Sequence, residues 1–453
     1  MRNALAGWAD KLGTIYDRHF MPGADIESWG PMLKETYDPA FKNQTAEDNI
    51  AESFMRSDID KERWEGSVRK VPIKIGRNFA SGSIGRGGPL PQAGRASWQD
   101  FEIGARDTYT RVGFERYVLE QTRNKKGAFG EVMATEMESA YDDYLFHRNR
   151  IMWGYGSGIL ALVNGAQVAD TTIEVDAPGN VAGSFLGNRF LHGDSTSGQF
   201  IAFVNAAGVI QGTAFITAAA AAGDTITVDT PITCDDNCRI VVAQTPTMNS
   251  LNKEPEGLTA GIDDGTFVDL YHTLSRTIYA IIKSHVITGV GSFSGDAIQQ
   301  GVDATAIRRG NRKIDFFFTE FAVRRAYLAV LELDRRYTGA DLMSPDGGTK
   351  AAKNANPKIG NAGRAITYGD LPMFADRDGM FGAMLGVNKA SWTRYVLEEG
   401  NWDDTDGKVL KWMSGYDQWT AFYRTMDNFH CHEPNANVRW EGIDVNQILV
   451  RAA

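Results

Sequence analysis

The stretch Gly127–Gly158, GAFGEVMATEMESAYDDYLFHRNRIMWGYGSG, constrains the fold more than any other. Met133, Met137, Ala140, Tyr141, Tyr144 and Ile151 recur at i, i+3 and i+4, the spacing of one helical face. Glu131, Glu136, Glu138, Asp142 and Asp143 come first and Arg148 and Arg150 last, an order that suits the helix dipole. The spacing predicts a helix over Phe129–Trp153, roughly 36 Å long, with a G-x-G-x-G exit. A helix of that length spans a domain. It fits the core of an α-rich domain as well as a spine that carries parts outward. Asp143 and His147, at i and i+4, could share a metal ion. With no third ligand nearby and no H-E-x-x-H pattern, they read as a surface pair.

The segments before the helix have little core of their own. From Arg69 to Arg95 there are six basic residues, Arg69, Lys70, Lys74, Arg77, Arg86 and Arg95, and no acid. VRKVPIKIG alternates as a strand would, and WQDFEIGARDTYTRV alternates in part. Between them lies SGSIGRGGPLPQAGRAS, rich in glycine. The simplest reading of 66–116 is a long two-stranded hairpin with an open tip. A lone hairpin is marginal in water and persists when another chain covers it. Phosphate binding by the glycines is the competing reading, but neither nucleotide fingerprint is present. Residues 1–65 begin with helical spacing at Leu5, Trp8, Leu12, Ile15 and Tyr16. They continue with three prolines and scattered aromatics, Trp29, Tyr37, Phe41 and Phe54. That segment reads as an arm lying on another surface, or as a loop-rich start to the first domain. Trp29, Phe41 and the six bases are the candidate contacts between subunits.

The segments after the helix pack back against it. Short alternating runs between 167 and 246, such as TTIEVDA, QFIAFVN and DTITVDT, are separated by Gly, Asp and Asn turns and predict a small barrel or sandwich. CDDNC, Cys234–Cys238, falls in one of its turns; a structural zinc would need a second pair, and the sequence supplies none. From Gly257 the pattern becomes α/β. GIDDGTFVDLYHTLSRTIYAII carries turn chemistry and then helical spacing. DAIQQGVDATAIRRGN reads as a helix, KIDFFF as a strand, Thr319 as an N-cap and EFAVRRAYLAVLELDRRY as a helix. ITYGDLPMFADRDGMFGAMLGVNKASW alternates strands with tight turns, and WTAFYRTMDNFHCHEP and NVRWEGI read as strands.

At 453 residues the chain has room for two to four domains. Its net charge of −10 disfavours tight wrapping of DNA by the whole surface. Three cysteines, an odd and sparse number, suit a reducing compartment. No apolar run is long enough to span a membrane. MRNALAGWADKLG lacks a long apolar core, so it does not read as a signal peptide, and a cytosolic product is expected. The most catalytic-looking cluster is His430, Cys431 and His432: in a strand the two histidines share a face and could serve a metal. Asp376, Asp378 and the run Asp403, Asp404, Asp406 read as solvated turns. No nucleophile elbow, dinucleotide fingerprint or EF-hand loop occurs. No cofactor, metal or catalytic residue is expected. Two alternatives stay open: a metal-dependent hydrolase using His430 and His432 or the aspartate turns, and a β-module that recognises a carbohydrate or surface partner.

The order of arm, basic hairpin, long helix, β-module and α/β part resembles the major capsid proteins of tailed bacteriophages, whose fold is named after the Hong Kong ninety-seven phage. Four stretches carry the resemblance. Arg69–Arg116 looks like the extended loop. Phe129–Trp153 with GYGSGILALV looks like the spine helix and its exit. KIDFFFTEFAVRRAYLAVLELD looks like a strand–helix pair of the axial domain. ITYGDLPMFADRDGMFGAMLGVNKASW looks like the paired strands around its turn. The resemblance implies an α+β fold divided into an N-terminal arm (1–65), an extended loop (66–116) and a peripheral domain with the spine helix (117–166). A β-rich insertion (167–246), an axial domain (247–415) and return strands (416–453) complete it. It implies a virion shell subunit, made in the host cytoplasm, that tiles hexamers and pentamers around double-stranded DNA touched only loosely. Scaffolding protein, portal, a maturation protease and a decoration protein are the partners it implies, with no membrane. Some members crosslink a loop lysine to a neighbour's asparagine; Lys70 and Lys74 lie in the matching loop, but no partner residue is identifiable and no crosslink is expected.

Overall fold

The computed structural model describes residues 49–117, 132–176, 199–219, 225–309, 313–334, 366–405 and 407–445. The chain divides into two compact units, 1–45 with 117–132 and 46–116 with 133–453. The described residues fall almost wholly in the second unit.

A helical turn at Ile50–Ser53 continues as a wider turn at Phe54–Asp58. The chain then runs through β1 (Asp60–Arg63), β2 (Val68–Gly76), β3 (Ser97–Gly104) and β4 (Arg106–Glu115) to helix α1 (Val132–Met152). Six strands come after it: β5 (Ile159–Val163), β6 (Gln167–Asp176), β7 (Phe200–Val204), β8 (Ile210–Ala219), β9 (Thr225–Cys234) and β10 (Arg239–Thr245). Next come β11 (His285–Ile287), α2 (Gly295–Arg309), β12 (Phe316–Thr319) and α3 (Phe321–Asp334). The last strands are β13 (Ile366–Tyr368), β14 (Leu371–Ala375), β15 (Met384–Val387), β16 (Trp392–Trp402), β17 (Gln418–Cys431) and β18 (Val438–Trp440). Strands carry most of the regular structure among the described residues, with three long helices set against them.

β4, β17 and β16 form an antiparallel sheet, with β1 added in parallel at the β16 edge. β4 therefore leaves the hairpin that precedes it and pairs along its whole length with a strand some three hundred residues away, from Glu115 opposite Gln418 to Arg106 opposite Asp427. A second sheet runs β11-β18-β15-β12-β14-β13. Its centre, β12, is FFFT with all four residues buried, as a strand covered on both faces requires. Ile298 of α2 and Val323 and Tyr327 of α3 join Phe317 and Trp440 in one apolar cluster. The strand–helix pair read from KIDFFF onward is present, except that Thr319 stays in the strand and the helix begins at Phe321.

β5 to β10 close on themselves. The order β10-β5-β6-β9-β8-β7 ends with β7 pairing back onto β10, all antiparallel, so the unit is a six-stranded barrel. Closure removes the exposed strand edges that a sandwich would keep. Its interior is filled by alternate residues such as Val175, Phe203, Ile216, Ile226, Val228 and Ile240. Gly156 and Gly158, in the exit read after α1, both have positive φ. A Cβ on Gly158 would lie 2.5 Å from the Ser250 carbonyl, so the turn into the barrel needs glycine there.

Of the two readings of 1–65, the described end fits a start to the first domain, and one expectation further on fails. The end of the presumed arm, from Ile50, packs in the main core: Phe54 lies edge-on to Phe316 at 5.0 Å and to Phe318 at 5.4 Å. The helical spacing after Gly257 produces no long helix. Asp263 Oδ2 accepts the N–H groups of Gly265, Phe267 and Val268, and buried Arg276 donates to the carbonyls of Ala260 and Val268. His272 and Thr273 both have positive φ and make a tight turn between Leu270–Tyr271 and Leu274–Ser275. Side chains that satisfy the backbone locally compete with the helix ladder.

Candidate interaction surface

β2 and β3 pair from Val68 opposite Gly104 to Lys74 opposite Trp98, with a register shift before Gly76 and Ser97. Only the root of this hairpin is buried. Phe101 sits edge-on to His430 at 4.6 Å and to Tyr271 at 6.0 Å, and Ile103 packs with Trp64 and Tyr395. Asn428 donates to the Gly104 carbonyl at 2.9 Å, and the Glu102 N–H to that of His272 at 3.2 Å. Beyond the root, 77–95 is exposed except for half-buried Ala80. Asn78 bonds to Gly94 at 3.1 Å and keeps the two arms together past the paired residues.

The six bases fall into two groups. Arg69 bonds Glu62 at 3.1 Å and lies over the Tyr395 ring, and Lys70 bonds Glu102 at 2.8 Å, a bond that raises the lysine pKa. These two are engaged within the chain, at the root. Lys74, Arg77, Arg86 and Arg95 lie further out and make no ion pair among the described residues. Trp29 and Phe41 lie outside the described residues. The sequence reading missed the apolar companions of the outer bases: Phe79 is 86% exposed and Leu90 83%. Their signal was two large apolar residues inside a glycine- and proline-rich loop, where no core can reach them.

The groups that looked chemical are structural. His430 is buried against Phe101, Tyr271 and His272, and burial holds its pKa well below the usual value. His432 lies just past the end of β17, its ring 6.5 Å from that of His430. Asp376 and Asp378, read as solvated, are buried. Asn149 of α1 donates to Asp376 at 2.9 Å and to Asp378 at 2.6 Å, and the Ala51 N–H to Asp376 at 3.0 Å. Burial and the nearby Asp378 charge push the Asp376 pKa up to about 6. His147 is half-buried, not on the surface; burial and then Arg150 and Arg148 push its pKa down to about 3. Cys234 and Cys238 flank a turn of the barrel as free thiols, and burial raises both pKa values. Among the described residues, no group of three or more His, Cys, Asp or Glu is placed to hold a metal ion.

The carboxyl end of α1 ties the sheets together. Arg148 grips Asp427 of β17 with two hydrogen bonds, 3.0 and 2.9 Å, and Arg394 of β16 reaches the same carboxylate at 2.9 Å. Burial would raise the Asp427 pKa, but the two guanidinium groups outweigh it and hold it below the usual range. Arg150 pairs with Glu254 at 2.5 Å. The helix is thus clamped at one end by buried charges, while Glu136, Glu138 and Asp143 stay exposed nearer its start.

This arrangement, a long helix on an antiparallel sheet, a second mixed sheet carrying two helices, and a projecting hairpin, is a fold shared with a solved capsid chain. The cyanophage A-1(L) capsid chain has it with a TM-score of 0.56 at 9% identity, over 93% of this chain and 99% of that one. The capsid of a native GTA particle gives 0.49 at 8% identity over 93% and 100%, and an encapsulin complex from Synechococcus elongatus 0.45 at 7% over 96% and 100%. No protein-family model matches the sequence, and no curated protein does.

Proposed function

We propose that the chain is the structural subunit of an icosahedral or prolate virus capsid of the tailed-phage type. In this reading it assembles by head-to-tail contacts into hexamers and pentamers that enclose packaged double-stranded DNA. The observation that carries the reading is the fold shared with the cyanophage capsid chain over 93% of this chain and 99% of that one. The hairpin supports it: an outer half with four bases outside any ion pair of the described residues, and with exposed Phe79 and Leu90, gains nothing in a lone subunit.

In these terms α1 is the spine helix, lying with the β4-β17-β16-β1 sheet in a peripheral domain. The barrel is an insertion in that domain, and the sheet around β12 with α2 and α3 is the axial domain. Residues 1–65 supply an arm whose last part, from Ile50, roots in the core. The chain then acts through contact area, without catalytic residues or cofactor, and resides in the virion. Scaffolding protein, portal, a maturation protease and a decoration protein are its partners. A net charge of −10 keeps its contact with DNA loose.

Imaging the purified full chain by negative-stain electron microscopy, alone and with its scaffolding protein, tests this. Rings, sheets or closed shells are expected. A protein that stays strictly monomeric at high concentration under both conditions would sink the proposal.

A further inference from the structure

One end of the barrel carries two thiols within reach of each other. Cys234 ends β9 and Cys238 directly precedes β10, with the exposed turn 235–237 between them. Both side chains belong to the barrel's apolar core, 4% and 1% exposed. The two thiols are hydrogen-bonded to each other. The Cys238 thiol also donates to Gln211 Oε1 at 2.8 Å, and the Asp235 N–H donates to the same oxygen at 3.0 Å. On the other side Asp236 Oδ1 accepts the Gly165 N–H at 2.8 Å. The turn is thus tied both to β8 and to the β5–β6 loop, and it holds the two sulfurs together beneath one exposed layer. Cys431 differs: its sulfur meets the Ser391 hydroxyl at 3.6 Å and the Asn437 amide at 3.3 Å, and neither of the other thiols.

We infer that Cys234 and Cys238 are an oxidisable dithiol, which a small disulfide such as oxidised glutathione closes to an intramolecular bond that staples this end of the barrel. One cysteine thiolate attacks a sulfur of the glutathione disulfide and displaces one glutathione thiolate. The other cysteine thiolate then attacks the protein sulfur of the mixed disulfide and displaces the second. Two protein S–H bonds and one glutathione S–S bond become one protein S–S bond and two glutathione S–H bonds, the protons passing through water to the leaving thiolates. Closure within the chain wins over a second glutathione because the second thiol is held in the same turn. Burial raises both thiol pKa values, that of Cys234 to about 12, so the attacking thiolate is scarce near neutral pH and the pair stays open while a reducing compartment supplies little oxidant. Once closed, the bond adds a covalent tie to a turn held otherwise by hydrogen bonds of exposed side chains. The inference does not rest on the shell reading: a chain that never assembles carries the same pair.

The test uses the full, unsubstituted chain, purified reduced and then incubated in the folded state with excess oxidised glutathione at about pH 8. Thiols counted after denaturation should fall from three to one, and the intact mass should drop by two hydrogens with no glutathione added. Peptide mapping should place the bond between Cys234 and Cys238 and leave Cys431 reduced. Cys431→Ser should fall from two thiols to none, and Cys234→Ser should gain no internal bond. Amide exchange across 235–239 should slow by about threefold or more in the oxidised chain, compared with the same chain reduced again. Three thiols persisting after the incubation, glutathione left on either cysteine, or disulfide-linked dimers in place of the internal bond would overturn the pairing. A bond that forms but leaves amide exchange unchanged would overturn the staple.

Discussion

Asp427 joins elements far apart in the chain, because two buried arginines, Arg148 of α1 and Arg394 of β16, share its carboxylate. Asp427→Ala should cost on the order of 3 kcal/mol in denaturant unfolding, since it leaves buried Arg148 with only Glu52 at 3.7 Å and buried Arg394 with only Glu399 at 3.0 Å. A loss under about 1 kcal/mol would mean that water or Glu52 replaces it. Glu320 works in the opposite direction. It is buried just before α3, and burial raises its pKa from 4.5 to about 7, with a bond from the Gly382 backbone and then Arg325 pulling the other way. Its folded pKa lies above the unfolded one, so its contribution is fully present below pH 4.5 and is lost as pH rises through 7. Glu320→Gln should therefore stabilise the fold by about 1–3 kcal/mol near pH 8 and by almost nothing near pH 4. A gain that is independent of pH would contradict the assignment. None of these roles was legible in the sequence. A charged side chain reads as surface unless its partner is known, and the partner of Arg148 lies 279 positions away.

At the scale of elements, the sequence showed what a local period can show. The period-3.6 stripe of α1, the alternation of the barrel strands and the strand–turn–strand character of the hairpin are all properties of neighbours in the chain. It did not show where the hairpin stops. WQDFEIGARDTYTRV reads as one strand, yet Gly104 ends the ribbon and Arg106 begins a strand whose partner is Gln418–Asp427. Nor did it show that the barrel opens at Ile159, because ILALV reads as a continuation of the helix exit. The barrel has its own core, and the chain enters and leaves it side by side: the Asn252 N–H bonds the Ser157 carbonyl at 2.7 Å. Replacing 159–249 with a short glycine-rich link should leave a folded remainder, measured as a cooperative thermal transition with native-like circular dichroism. Loss of that transition would make the barrel integral to the fold.

The whole molecule, on the proposed shell reading, combines a self-sufficient core with a projection that finds its contacts on another copy. Buried ion pairs at the end of α1 and the apolar clusters around Phe318 and Trp440 hold the first. The outer hairpin, 77–95, is exposed apart from half-buried Ala80 and adds nothing to that core, so the shell reading expects its energy to be realised on assembly, which should strengthen as subunit concentration rises. The direct test is sedimentation velocity of the full chain beside a variant lacking 77–95, at matched concentrations that permit assembly. The intact chain should sediment as large closed particles and the variant as a folded subunit with an unchanged unfolding midpoint. A variant that still forms normal, stable particles, or an intact chain that never leaves the subunit boundary, would contradict this division of the molecule.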